Sequence, residues 1–230
     1  PKSLGDQVTY AGGPGVRDPK SLGDQPTFGD AGGDDGPFDD GMEVVNLSAR
    51  YTVEDTLGKG GMGEVLLAFD TLMKRKVAIK RMLGDDAKSQ TKVRRFLTEA
   101  QSMAGLDHDN IVDVYDYGRS ADGPFLVMQY IDGGSLLDRC RKGTLPVEEA
   151  VDLICQICDA LTMCHDAGVI HRDIKPANIL MTSDGSPRLT DFGLVKEDSI
   201  DGGQTAAGAV LGTWDFMPPE QRKDAALVDA

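Results

Sequence analysis

The sequence predicts an α+β protein in which strands with one helix come first and a mainly helical part follows. Three observations lead to this prediction. Short β-branched runs separated by turns dominate up to about residue 130, whereas two longer stretches carry closely spaced apolar residues of helical type. The first forty or so residues show neither pattern. With 230 residues, the chain has the length of one large domain or two small ones.

The charge balance and composition exclude several classes of protein. The chain carries 38 acidic and 24 basic side chains, a formal net charge of −14, and a general nucleic-acid binder would normally show a basic surface. No run of 18 apolar residues occurs, so we expect no membrane span within this sequence. Four cysteines are too few for a disulfide scaffold, which favours a reducing, cytoplasmic location.

Residues 1–48 are predicted to be a disordered linker. Residues 1–41 contain ten Gly, five Pro and eight Asp against three Lys or Arg, and such a segment cannot bury enough surface to offset the entropy of ordering it. The motif PKSLGDQ occurs twice, each time shortly before a Thr and an aromatic residue. A duplicated flexible linker is the simpler interpretation. The alternative is a pair of short motifs, recognised through Thr9 and Thr27 by phosphothreonine-binding or other motif-binding partners.

The folded part is predicted to begin with strands and a helix. The first strand starts at Tyr51, and further strands are predicted over residues 65–69, 77–79, 111–117 and 125–130. The helix lies between the third and fourth strands and ends at Gly105. One face of it is apolar, and this face consists of Val93, Phe96, Leu97, Ala100, Met103 and Ala104.

A second long helix is predicted to begin near Pro146. It has apolar residues on nearly every side, including Val151 and Ile154, so we expect it to be buried in a larger body. Cys155 and Cys158 form a C-x-x-C within it but have no second pair at zinc spacing. We therefore interpret them as small buried hydrophobic residues.

A glycine-rich run occupies residues 58–65 and contains G-x-G-x-x-G between two predicted strands. Glycines of this kind let a backbone approach phosphates closely. A dinucleotide-binding turn and a flexible hairpin are the alternatives. The first of these should open a helix, but the strand-like residues 65–69 follow, which disfavours it.

Lys80 and Glu99 are candidates for an ion pair. Lys80 closes an apolar strand, a position that often only marks a strand end reaching water. Glu99 lies on the core-facing side of the predicted helix, where a carboxylate needs a cationic partner or a solvated cleft. Lys80 is a suitable partner.

Two further polar motifs follow the second helix, HRDIKPAN at residues 171–178 and DFG at residues 191–193. Each could be an ordinary polar loop when taken alone. Together they place Asp173, Asn178 and Asp191 close in sequence, and carboxylate and amide oxygens suit a hard cation such as Mg²⁺ that bridges phosphates.

In this order, these motifs resemble those of the protein kinases, together with an A-P-E-like Pro218-Pro219-Glu220. Lys175, two residues after Asp173, is similar to the serine/threonine group. The motifs GGMGE at residues 60–64 and DGGSL at residues 132–136 are similar to those of eukaryotic-like serine/threonine kinases of bacteria. The resemblance covers about residues 49–230. It implies a bilobal fold, with an antiparallel sheet and one helix in an N-lobe over residues 49–130 and a mainly helical C-lobe over residues 131–230.

The resemblance also implies an activity. The protein would transfer the γ-phosphate of ATP, with Mg²⁺ or alternatively Mn²⁺, to Ser and Thr hydroxyls of protein substrates in bacterial signalling. Asn178 and Asp191 would hold the metal. The implied catalytic residues are Asp173, Lys175, Lys80 and Glu99. The implied ATP-binding residues are Leu57, Gly58, Lys59, Gly60, Gly61, Met62, Gly63, Glu64, Val65, Ala78, Lys80, Met128, Gln129, Ile131 and Leu180. An apolar stack that links the lobes would consist of Met103, Val114, His171 and Phe192.

Regulation is implied by Arg172 beside Asp173. This arginine would pair with a phosphate on the activation loop, with Thr205 as the first candidate acceptor, modified by autophosphorylation, and Ser199 as the second. A non-catalytic scaffold that keeps the cleft is the alternative function. The sequence stops about ten residues after Glu220, where family members continue through several helices. We therefore expect a fragment with an incomplete C-lobe that is inactive alone, from a parent that could be membrane-anchored through a further segment.

Overall fold

A computed structural model describes residues 42–60, 63–192 and 216–220. Several predictions concern positions outside these described residues. They are the PKSLGDQ repeats with Thr9 and Thr27, the Gly-rich-loop residues Gly61 and Met62, and the candidate phosphorylation sites Ser199 and Thr205.

A six-stranded sheet with the strand order β1-β5-β6-β4-β3-β2 forms the first half of the fold. Its strands are β1 (Val44–Val45), β2 (Tyr51–Gly60), β3 (Gly63–Asp70), β4 (Arg75–Met82), β5 (Val114–Ser120) and β6 (Gly123–Gln129). All neighbouring strands run antiparallel except β1, which pairs with β5 in parallel. The prediction of an antiparallel sheet is thus confirmed for β2 to β6.

The sheet has two different faces, because side chains alternate along each strand. Leu66 of β3 and Ile79 of β4 belong to a cluster on one face, which we call the outer face. Val65 and Ala78 point to the opposite, inner face and belong to other apolar clusters or their margins. Lys80, two residues after Ala78, shares the inner face.

The predicted helix is confirmed as α1 (Gln90–Ala104), which is followed by Gly105. Its buried residues include Val93, Phe96 and Met103, which belong to one core cluster with Met82 and Leu126 of the sheet. The apolar stripe thus packs against the inner face, and it carries Glu99 into the core with it.

The second half contains α2 (Leu136–Lys142), α3 (Val147–Asp166) and a small hairpin of β7 (Ile179–Met181) and β8 (Pro187–Leu189). Ser135 caps α2, because its side chain accepts a hydrogen bond from the backbone of Asp138 while the Asp138 side chain accepts one from the backbone of Ser135. Leu153 and Leu189 belong to the same core cluster as the buried face of α1. One continuous core therefore joins the α1 side of the sheet to the helical part, which confirms the α+β class.

The start of the chain differs from the prediction, because residues 42–48, assigned to the linker, contain β1 and the beginning of a 3-10 helix, Leu47–Ala49. Met42 packs against the main core and Leu47 against the outer-face cluster. Asn46 caps the 3-10 helix by accepting a hydrogen bond from the Ser48 amide at 3.1 Å. These few apolar anchors carry no periodicity, so composition alone could not separate them from the linker.

The strand predicted at residues 111–117 also differs, since β5 begins only at Val114. Ile111 forms an isolated parallel bridge with Leu189, and the Val112 amide donates to the Leu189 carbonyl at 3.0 Å. Residues 111 and 112 therefore pair with the β7–β8 hairpin and connect the two halves of the fold.

The expectation that α3 is buried all round was wrong for the described part of the chain. Its packed face carries Leu153 and Ile157, whereas Val151 and Ile154 are each 54% exposed. The three cysteines of α3 divide in the same way, since Cys155 and Cys158 are exposed and only Cys164 is buried. Among the described residues, no helix combines the length and apolarity that a membrane span requires.

Candidate active site

Lys80 lies at the centre of a charged cluster that three elements build. Its Nζ is 3.3 Å from Glu99 Oε1 on α1 and 2.8 Å from Asp191 Oδ1 in the segment after β8. The structure thus brings together residues that lie 19 and 111 positions apart in sequence.

The electrostatics of this cluster favour charged Lys80 and Asp191. Burial alone would lower the pKa of Lys80, but Asp191 and Glu99 outweigh it and raise the pKa above its ordinary value. The positive charge of Lys80 in turn holds the pKa of Asp191 below its usual range. Burial raises the pKa of Glu99, which is 2% exposed and whose second oxygen, Oε2, has no hydrogen-bond partner among the described residues.

A second set of polar residues surrounds Asp173. Lys175 Nζ lies 2.9 Å from Asp173 Oδ2, and Asn178 Nδ2 donates to the same oxygen at 2.9 Å and to the Asp173 carbonyl at 2.8 Å. Asn178 ends a 3-10 helix, Pro176–Asn178, and is 6% exposed. Because its amide nitrogen is used in these bonds, its amide oxygen Oδ1 is oriented to act as an acceptor or cation ligand.

His171 connects the loop of Asp173 to the segment of Asp191. Its Nε2 lies 3.0 Å from the Thr190 carbonyl, its Nδ1 accepts from the Asp173 amide at 3.2 Å, and its ring lies 4.5 Å from that of Phe192. These two hydrogen bonds require a neutral ring with the proton on Nε2, and burial accordingly lowers the pKa of His171. Thr190 was not identified from the sequence, since only its backbone takes part.

Two site residues have strained backbones. Arg172 and Asp191 have φ values of 60° and 59°, a region that residues with a side chain rarely adopt. Such strain persists where surrounding contacts hold it. Both residues flank contacts of His171, so the strain is held where the two loops meet.

The apolar stack implied by the resemblance is assembled. Met103 and Phe192 are each 1% exposed and belong to the main core cluster, against which the half-buried Val114 packs. The stacking of His171 on Phe192 extends it. The stack therefore runs from α1 through the inner side of the sheet to the loops that carry the acidic residues.

An apolar cluster, which we call the apolar wall, lies beside the charged cluster. Ala78, Met128 and Ile131 form a buried cluster with Val112, against which Val65 and Leu180 pack. Five of the predicted ATP-binding residues thus meet in one place. The Gln129 amide donates to the Asp113 carbonyl at 2.9 Å, so any hydrogen bond from the Gln129 backbone to a ligand would use its carbonyl oxygen.

The described residues of the Gly-rich run belong to two paired strands, which we call the Gly-rich hairpin, because β2 and β3 pair antiparallel up to Gly60 and Gly63. This excludes the dinucleotide-binding turn, which would lead into a helix. Gly58 and Gly60 have open space where a Cβ would lie, and Leu57 is 45% exposed on β2. The hairpin thus carries small residues on its open side, as a loop that covers a ligand requires.

Glu64 forms ion pairs on the outer face of the sheet. Its carboxylate accepts from Arg81, with Nη2–Oε1 at 2.5 Å, and lies 3.6 Å from Lys59 Nζ. Glu64 alternates with Val65 and therefore projects from the outer face. The predicted contact of Glu64 with ATP would therefore use the backbone of this residue. The sequence holds the missed signal, since Glu64 and Arg81 are an opposite-charge pair at matching positions of β3 and β4.

The donor set fits a hard cation that needs ligands from elsewhere. Asp191 and Asn178 offer oxygens, but the described residues contain no group of three or more His, Cys, Asp or Glu side chains that could hold a metal alone. Phosphate oxygens and water would have to complete the coordination, which is the usual situation for Mg²⁺ with a nucleotide.

The fold and this arrangement define a protein kinase, and the chain belongs to that family. Residues 51–227 match the protein kinase domain. Its relatives include the serine/threonine-protein kinase PknB of Mycobacterium leprae, 39% identical over 183 residues, and a probable serine/threonine-protein kinase of Streptomyces coelicolor, 40% identical over 187 residues. The matches cover 77% and 79% of this chain but only 29% and 28% of those relatives.

A solved structure supports the same assignment. The chain is similar to the kinase domain of Mycobacterium tuberculosis PknI, in a mutant form, with a TM-score of 0.57 and 32% sequence identity. The match covers 64% of this chain and 61% of that chain. The prediction of a eukaryotic-like bacterial serine/threonine protein kinase with a kinase fold is thus confirmed. Since the chain spans less than a third of its curated relatives, the activity of the whole protein is argued separately below.

Proposed function

We propose that the protein transfers the γ-phosphate of ATP to Ser and Thr hydroxyls of protein substrates. The observation that carries this proposal is Lys80 held between Glu99 and Asp191 by three different elements. A fixed, protonated ammonium beside a carboxylate is what binding of a metal–triphosphate requires, since phosphoryl transfer depends on positioning and on neutralising charge.

ATP would bind between the Gly-rich hairpin and the apolar wall. Ala78 and Leu180, with Val65, would enclose the purine, and the Gln129 carbonyl and the Ile131 backbone would bond its edge. The support is that these apolar residues converge in one cluster next to Lys80. Lys80 would then reach the α- and β-phosphates.

Asp191 and Asn178 would hold Mg²⁺ or Mn²⁺. When bound, the cation neutralises phosphate oxygens and orients the γ-phosphate for transfer. Lys80 keeps Asp191 ionised, as the lowered pKa of this carboxyl indicates. Asn178, whose nitrogen is held by Asp173, would present its oxygen.

Asp173 would accept the proton of the substrate hydroxyl. The hydroxyl oxygen would then form a bond to the γ-phosphorus, while the bond between the γ-phosphorus and the oxygen that leaves with ADP breaks. Lys175 and Asn178 both contact Asp173 Oδ2, so the carboxylate has a defined orientation. Lys175 would also neutralise charge on the transferring phosphoryl group.

Regulation, partners and domain limits complete the proposal. Arg172 would bind phosphorylated Thr205 or Ser199 after autophosphorylation. The N-lobe would span residues 49–130 and the C-lobe region residues 131–230, with the PKSLGDQ repeats offered to motif-binding partners. The kinase domain would work in the cytoplasm.

Transfer of radiolabelled γ-phosphate from ATP to a generic protein substrate by the full-length protein tests the proposal, with Asp173→Asn as the control. We expect label on Ser and Thr of the substrate for wild type and a loss of at least a hundredfold for the variant. Equal signals from wild type and variant, or label only on Tyr, would reject the assignment. Equal signals at background would favour the non-catalytic scaffold.

A further inference from the structure

Arg81 follows Lys80 directly but faces the other side of the sheet. Side chains alternate along β4, so Lys80 points to the inner face and Arg81 to the outer face, where it meets Glu64. Arg81 Nε and Nη2 both contact Glu64 Oε1, at 2.8 Å and 2.5 Å. The two residues are direct cross-strand partners in the register of β3 and β4.

This ion pair is well shielded on the carboxylate side. The Glu64 side chain is 8% exposed and that of Arg81 26%. The guanidinium lowers the pKa of Glu64. Lys59, the other cation near Glu64, is 73% exposed and lies at 3.6 Å, so it is a weaker partner.

Arg81 also contacts the Gly-rich hairpin through its backbone. Gly63, which immediately precedes Glu64, has a φ of 152°, and a Cβ built on it would lie 1.9 Å from the Arg81 carbonyl oxygen. The backbone of Gly63 therefore lies directly on Arg81. The side chain of Arg81 thus contacts Glu64, and its backbone lies against Gly63, at the start of β3.

A third contact joins Arg81 to the turn between β5 and β6. Its Nη1 lies 3.3 Å from Asp122 Oδ2, on a side chain that is 67% exposed. Arg81 accordingly links the first residues of β3 to a second part of the sheet.

We infer that Arg81 is a positioning residue for nucleotide phosphates, acting from the outer face of the sheet through its ion pair with Glu64 on the Gly-rich hairpin. This inference rests on the proposed function, because it assumes that the hairpin covers the phosphates of ATP. Arg81 itself does not face the cleft. Loss of the Arg81 side chain should therefore weaken binding of the phosphates and leave the apolar wall around the purine intact.

The test compares two ligands that share the purine, MgATP and adenosine, by calorimetric titration of the protein. In Arg81→Met, which keeps the apolar stem, we expect MgATP affinity to fall about tenfold, which corresponds to about 1.4 kcal/mol, while adenosine affinity stays within about twofold. Glu64→Gln should act in the same direction, and Arg81→Lys should recover most of the loss. Lys76→Met is the control. Lys76 lies on β4 like Arg81, but it pairs with Glu54 at the surface, so its replacement should change neither affinity.

Two results would overturn the inference. One is an unchanged MgATP affinity in Arg81→Met. The other is an equal loss for MgATP and adenosine, since that pattern indicates general damage to the fold. If Arg81→Met does not fold, the same ratio measured in Glu64→Gln decides. A wild-type protein that binds adenosine and MgATP equally or not at all would instead reject the proposed function.

Discussion

Glu99→Gln isolates the charge that α1 contributes to the site. Glu99 Oε1 lies 3.3 Å from Lys80 Nζ, and the substitution keeps the shape of the side chain while it removes the charge. Lys80 retains Asp191 at 2.8 Å, so its ammonium is not left without a partner. The variant therefore tests the position of Lys80 rather than its protonation.

The expected effect follows from the geometry. At 3.3 Å and an effective dielectric constant of about 20, two unit charges interact by about 5 kcal/mol. Burial of the carboxylate offsets part of this energy, and the Gln amide oxygen can still accept from Lys80. We expect a net loss of about 2–3 kcal/mol in the transition state, or roughly 30- to 160-fold in kcat/KM for phosphoryl transfer.

Glu99→Gln should lower kcat/KM without a comparable loss in the free energy of unfolding. Burial raises the pKa of Glu99, which means that the folded protein disfavours its charge, so a neutral isostere should change the free energy of unfolding by less than about 1 kcal/mol. Glu54→Gln is a matched control, because Glu54 is also 3.3 Å from a lysine, Lys76, but on the surface. A Glu99→Gln variant with full kcat/KM would refute the role of the pair.

Three further predictions concern the framework of the site. Because His171 is buried neutral with a lowered pKa, the free energy of unfolding should fall as the pH drops below about 6.5, where only the unfolded chain binds the proton. Denaturant titrations should show this slope reduced in His171→Phe, and an unchanged slope in that variant would contradict the assignment. Gly133→Ala should lower Tm by several degrees, since its Cβ would lie 2.2 Å from a carbonyl oxygen of β7, whereas Gly105→Ala, with 3.7 Å to its nearest atom, should not. Ser135→Ala removes the cap of α2 and should cost about 1 kcal/mol in chemical unfolding, and a cost near zero would show that the capping box contributes little.

Much of the fold could be predicted because local patterns determine it. The apolar stripe of α1 specified both the helix and the face that carries Glu99, and a buried carboxylate required a cation, which pointed to Lys80. The contact of Lys80 with Asp191 spans 111 positions, and no local pattern encodes such a distance. It became an expectation only through the resemblance to a family.

Other features depended on packing that composition does not reveal. The outward direction of Glu64 follows from strand alternation, and the resemblance named this residue without specifying where its side chain points. Met42 and Leu47 pack against different core clusters, on the two sides of the sheet. Val151 is exposed because the β7–β8 hairpin packs against a different face of α3. The sequence of the helix alone, apolar on nearly every side, does not show which face is covered.

The central claim is that Lys80 faces the phosphates of a bound nucleotide. An ATP analogue with a reactive acyl group on its terminal phosphate transfers that group to a nearby lysine, and mass spectrometry of the digested protein locates it. We predict that labelling concentrates on Lys80 and Lys175, and that excess MgATP suppresses it at both while background labelling of exposed Lys76 persists. Labelling of Lys80 no greater than that of Lys76, or unaffected by MgATP, would contradict the claim.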